Sequence, residues 1–182
     1  MDLLRKRFST SSMSTQCLDT ERTIEGIAVG IHRCLRMEHS NTNNEVIFDE
    51  RFHSFSGKDK RKCSYSFKAI LEFLMKIEKQ LQLPCEVYTI AIIYMDRVAT
   101  HSGVFLKDVN WKRIFLAALI VSAKFMLDEK VENCDFVFII PDIKDINNLE
   151  RRFLCHLQFD LYVESSYYHL YYFSANSMVS YS

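Results

Sequence analysis

Lys124 stands in the stretch LAALIVSAKFMLDE, after ten uncharged residues from Ile114 to Ala123, and Phe125, Met126 and Leu127 follow it directly. A stretch this apolar reads as a helix buried on all sides. An unpaired ammonium in such a place is costly, so Lys124 requires a partner or an opening to the surface. Two acidic residues sit equally oddly. Glu150 lies seven residues after Ile143, four after Ile146 and three before Phe153, on or beside the apolar stripe of its own segment. Asp96 follows Ile92 and Ile93 at helical spacing inside another apolar segment. Such charges can be internal ion pairs that fix helix registry, or a polar pair at the rim of an apolar surface, offered to another protein's backbone. Periodicity alone favours internal pairs, which add little net stability and are often retained for specificity.

Other chemistry is poorly supported. The six cysteines (Cys17, Cys34, Cys63, Cys85, Cys134 and Cys155) are scattered, with no C-x-x-C spacing. Cys155–His156 and the HRC triplet His32–Cys34 come nearest to a metal set, but adjacent helical residues diverge by about 100°. No metal site is therefore assigned, and the cysteines read as reduced, intracellular and mostly packed as small hydrophobes. There is no nucleophile elbow and no phosphate-cradling glycine loop, so no catalytic residue and no cofactor is assigned. His156 and His169 have no partner suggested by spacing and read as surface or rim histidines.

The elements that must position these charges are helical. A Ser/Thr-rich leader, residues 1–19, reads as a mobile arm. In residues 20–37, Ile24, Ile27, Ala28, Ile31, Cys34 and Leu35 recur at helical spacing. Gly26 and Gly30 either weaken that helix or let another element approach closely. After a long polar loop, Phe67, Ile70, Leu71, Leu74, Ile77 and Leu81 form a second stripe. Pro84 stops that helix and opens a third, which Gly103 caps. Asn110 caps the segment holding Lys124, Asp142 caps the one holding Glu150, and Ser165 or Ser166 starts the last. DFVFII has strand composition but no partner strand. The fold class is all-α: a five-helix bundle around a central buried helix, with an additional N-terminal helix.

Bulk properties fit this reading. The chain has 182 residues, 4 Gly and 2 Pro, too few of the latter for a sandwich or barrel. The formal net charge of +0 gives no global pull toward nucleic acid or anionic lipid. The basic clusters Arg5–Arg7 and Lys58–Lys62 are short and read as solvated charge. The N-terminus has no apolar signal segment, and no stretch reaches the roughly 18 apolar residues of a membrane span.

Four motifs, in order, resemble the cyclin box. FKAIL (Phe67–Leu71) is similar to the cyclin MRAIL motif, YMDRV (Tyr94–Val98) to Y-x-D-R, SAKF (Ser122–Phe125) to A-S-K-F, and LERRFLCHLQFDL (Leu149–Leu161) to the last box helix. FDERFHSFS, NWKRIFLAALIVSAKFMLDEKVENCDF and ERRFLCHLQFDLYVESSYYHLYYF resemble the cyclin Y and Pho-type branch almost without gaps. The likeness extends upstream to RFSTSSMSTQCLDT and covers nearly the whole chain.

This resemblance implies a single cyclin box over residues 20–173, followed by a short tail, 174–182. It implies a non-catalytic regulatory subunit that activates a cyclin-dependent kinase, of the PCTAIRE class, by docking on its αC helix. Lys124 and Glu150 match the pair that bonds kinase backbone, and Lys68 and Asp96 the pair that braces the first two box helices. Lys68 replaces arginine and lacks its bidentate fork. Leu74 replaces the tryptophan of the substrate-docking groove in cell-cycle cyclins. Asp2 stands where N-myristoylation requires glycine, so no lipid anchor is expected. The expected location is cytoplasmic or nuclear. Ser9 and Thr10, each three residues after a basic residue, match the family's phosphorylated stretch and imply a 14-3-3 protein as a second partner. The alternative reading is a cyclin-fold scaffold, or an adaptor for nucleic acid, without a kinase.

Overall fold

The computed structural model describes residues 13–37, 44–53, 55 and 65–179, with backbone alone for 13–19. Among the described residues there are six α-helices and no strand: α1 (Met13–Leu35), α2 (Phe67–Leu81), α3 (Cys85–Ser102), α4 (Trp111–Met126), α5 (Ile143–His156) and α6 (Ser165–Met178). Helix α1 begins within the expected N-terminal arm, so residues 13–19 are helical. DFVFII is not a strand: Asn133–Phe136 form a 3₁₀ turn, and Phe136, Ile139 and Ile140 are buried from a turn-rich loop. Isolated apolar residues can anchor a loop as well as a sheet.

Helix α4 occupies the centre. From Ile114 to Ala123 every residue is buried. Helix α3 packs along one side of it and α5 along another. Helices α1 and α2 form an outer layer, and α6 closes over α1 and α3. The caps follow local chemistry. The Ser66 hydroxyl accepts from the Ala69 amide, and the Asp142 carboxylate accepts from the Lys144 amide. Gly103 ends α3 at a φ of 66°, a conformation that suits glycine. Asn110 departs from expectation. It precedes α4, but its Oδ1 accepts from the Lys107 amide and its Nδ2 donates to the Phe105 carbonyl. It therefore stitches the incoming loop rather than the helix end.

Gly26 is a point of close approach. A methyl group there would lie 1.9 Å from the Ala175 carbonyl oxygen, so any side chain would push α6 off α1.

The buried charge is an arginine that apolar periodicity did not single out. Arg113, in the first turn of α4, has no exposed surface. Its guanidinium donates to both Asp145 carboxylate oxygens, at 2.9 and 2.7 Å, and to the carbonyls of Ile47 (2.7 Å) and His53 (3.2 Å). A bidentate fork is the strongest way to hold such a charge. The two carbonyls belong to the segment 44–53, which crosses the start of α4 as a strap. Phe48 anchors the strap in the core, Glu50 pairs with Lys112 at 2.8 Å, and Glu45 accepts two bonds from Arg152. Replacing Arg113 with alanine leaves Asp145, among the described residues, with His53 at 3.2 Å as its remaining cationic neighbour. We expect Arg113→Ala to lose roughly 3–5 kcal/mol of stability in urea unfolding. An unchanged midpoint would show that the fork is dispensable.

Candidate functional site

Lys124 is in the last turn of α4, where the helix leaves the core. Its side chain is 31% exposed, and its ammonium meets Glu150 Oε1 at 2.6 Å. Glu150, 16% exposed, projects from the middle of α5. The pair is therefore half-sheltered: the lysine stem packs while its head reaches solvent. The other Glu150 oxygen, Oε2, accepts from Asn133 Nδ2 at 2.6 Å. Asn133 Nδ2 also donates to Asn147 Oδ1 at 2.6 Å, and Asn147 is one turn before Glu150 on α5. Asn133 and Asn147 were not legible as site residues, since an asparagine in a loop or on the polar side of a helix adds nothing to an apolar stripe.

Phe125, Met126, Val137 and Ile143 are large apolar side chains left exposed on the elements that hold this pair. Phe159 is exposed at the far end of α5, in a turn where Gln158 and Phe159 both have φ of 57°. Exposed apolar residues beside a fixed polar pair are what a protein-docking surface contains. Lys124–Glu150 lies partly exposed between α4 and α5, whereas the fully interior pair is Arg113–Asp145, which the reading of the misplaced charges did not include.

The structure does not bring Lys68 and Asp96 together. Lys68 is 86% exposed and stands 4.0 Å from Glu72, one turn along its own helix. Asp96 is on the exposed side of α3 and accepts from the Tyr171 hydroxyl of α6 at 2.8 Å. The physical reason is that α6 covers this face of α3 and supplies the donor. Burial, then hydrogen bonds to Tyr167 and Asp96, push the Tyr171 hydroxyl above the ordinary tyrosine range, so it remains protonated and donates.

Two smaller expectations also change. His156 is buried, not at the surface: it packs against the Phe48 ring, and its Nε2 stands 3.3 Å from Glu45 Oε1. Burial lowers its pKa against the pull of Glu45, which favours the neutral imidazole. His169 does lie at the surface, with Nδ1 2.6 Å from the Ser165 carbonyl. Cys34, Cys134 and Cys155 are exposed and Cys85 is half-buried, so these cysteines are not core fillers. The side chain of Cys17, together with Cys63, Ser9 and Thr10, lies outside the described residues. No group of His, Cys, Asp and Glu among the described residues could hold a metal ion, and no described helix is long and apolar enough to cross a membrane.

The model of the cyclin N-terminal domain matches residues 37–162 of the 182. The chain belongs to the cyclin family. No solved structure matches it. Cyclins are regulatory, non-catalytic partners of cyclin-dependent kinases. The matched span starts just after α1 and stops just before α6, the two helices that pack on each other. The cyclin domain thus supplies α2 to α5, with both Lys124 and Glu150 within it.

Because Asp96 is exposed and has a neutral partner, Asp96→Ala should cost only about 0.5–1.5 kcal/mol, the worth of one hydrogen bond. Urea unfolding beside Arg113→Ala measures this. A loss as large as that of the arginine variant would show that Asp96 braces the helices after all.

Proposed function

We propose that this cyclin activates a cyclin-dependent kinase by docking the Lys124–Glu150 rim on the kinase αC helix. The observation that carries this reading is the half-exposed pair itself, at 2.6 Å among exposed Phe125, Met126 and Ile143. One Lys124 donor is used within the cyclin, so two remain for backbone carbonyls of a partner. Glu150 holds further lone pairs for a backbone N–H. Apolar neighbours would exclude water from these bonds and strengthen them. Docking of this kind presses αC inward, bringing its glutamate to the lysine that positions ATP. The cyclin performs no chemistry in this scheme. The sequence likeness to the cyclin Y and Pho-type branch points to a kinase of the PCTAIRE class.

Lys124→Ala and Glu150→Ala should each abolish co-purification of a PCTAIRE-class kinase domain, while circular dichroism remains helical. Undiminished capture by both variants would remove the assignment.

We infer that residues 5–14 act as a phosphorylation switch. Arg7 precedes Thr10 by three residues and Lys6 precedes Ser9 by three, the spacing that basophilic kinases prefer. A phosphate there adds about −1.5 to −2 charges and three acceptor oxygens, the chemistry that an arginine-rich 14-3-3 groove recognises. Peptides covering residues 3–16, phosphorylated singly at Ser9, Thr10 or Ser11, should bind a 14-3-3 protein more tightly than the unmodified peptide. Equal binding by all of them would leave this segment without such a role.

A further inference from the structure

We infer that Asn133 is a positioning residue of the docking site: its side-chain amide holds the Glu150 carboxylate, and through it the Lys124 ammonium, in the geometry a kinase meets. This rests on the docking role proposed for the Lys124–Glu150 pair.

The position of Asn133 is built from the core outward. Phe136 is buried, and it fixes the 3₁₀ turn Asn133–Phe136 three residues downstream. The Glu132 amide donates to Asp135 Oδ2 at 2.9 Å, closing that turn on itself. Asn133 is thereby set over α5 at the step between Asn147 and Glu150. Its amide orientation follows from its partners. Both atoms within 2.6 Å are oxygens, Asn147 Oδ1 and Glu150 Oε2, so the nitrogen must face them.

The consequence falls on the other end of the amide. Asn133 Oδ1 is buried and has no hydrogen-bond partner among the described residues. A buried orphan acceptor opposes folding. A residue selected only to hold this loop would not need an amide whose oxygen is stranded. What the amide provides is a donor to Glu150 Oε2 while Lys124 occupies Oε1. With both oxygens held, the carboxylate cannot swing between rotamers. Lys124 is then presented in one place, and its ordering is complete before the kinase arrives. Preorganisation of this kind raises affinity by reducing what must be ordered on binding.

The residue acts through Glu150, so its loss should weaken docking without changing what the docked complex does. The experiment titrates the full chain into a panel of purified cyclin-dependent kinase domains and follows peptide phosphorylation. With a kinase that the parent activates, Asn133→Ala should raise the half-activating concentration about tenfold, the scale of one hydrogen bond to a charged group. Maximal activity at saturation should equal the parent's. Its thermal midpoint should remain within a few degrees of the parent's, because the variant also removes the orphan oxygen. Asn133→Asp, which sets a second carboxylate against Glu150, should shift the half-activating concentration further. If Asn133→Ala activates at the parent's concentration while Lys124→Ala and Glu150→Ala fail, this inference is wrong and the docking site stands. A large fall in thermal midpoint accompanying the loss would also overturn it, by assigning Asn133 to the fold. If the parent activates no kinase, or Lys124→Ala and Glu150→Ala activate normally, the docking reading falls and this inference with it.

Discussion

The guanidinium of Arg113 is a full charge with no exposure to water, and much of the architecture is the set of conditions that lets it remain there. It needs an anion within reach, which places Asp145 in the first turn of α5 against the first turn of α4. It needs acceptors for its remaining donors, which draws the Ile47 and His53 carbonyls across the same end. The strap 44–53 is thereby laid over the helix ends, and Phe48, Glu50 and Glu45 secure it to the core, to Lys112 and to Arg152. Residues 113 and 124 are eleven apart, about three helical turns, so both cations lie on the side of α4 that faces α5. One is sealed and the other open. Two ion pairs therefore fix α5 against α4 at two points, and the outer one is left where another protein can reach it.

That outer pair differs from the inner one in what it leaves unused. Arg113 directs its donors at Asp145 and two carbonyls, so it has little left to offer a partner. Lys124 engages one acceptor, and its exposure reflects the remaining capacity. Phe125 and Met126, which follow it in the chain, are exposed, as are Val137 and Ile143.

The two helices outside the matched cyclin span have a distinct role in the packing. Helices α1 and α6 meet where Gly26 lets the backbone of Ala175 come close, and α6 delivers Tyr171 to Asp96 of α3. In this chain the aspartate is tied to the last helix, and Lys68 is left to Glu72 and solvent. The tie joins the closing helix to the bundle.

Sequence alone determined the helical class, the central place of α4, most helix ends and the charges at Lys124 and Glu150. These follow from short-range rules: apolar spacing, capping chemistry, and the rarity of a charge beside an uninterrupted apolar run. Motif order added the family. Lys124 and Glu150 meet, as the resemblance implied, but the sequence did not determine every pairing. Lys68 and Asp96 matched a family pair by position, yet Asp96 was taken by Tyr171, because partner choice depends on which helix packs over a face. Arg113 did not stand out in the sequence, since only the strap and α5 together bury it. Asn133 looked like loop, since its role exists only when a buried Phe136 sets it over α5. His156 and the cysteines were misplaced for the same reason: one residue on a helix is core or surface according to its neighbours. Such facts depend on contacts between residues far apart in the chain, and only the tertiary structure decides them.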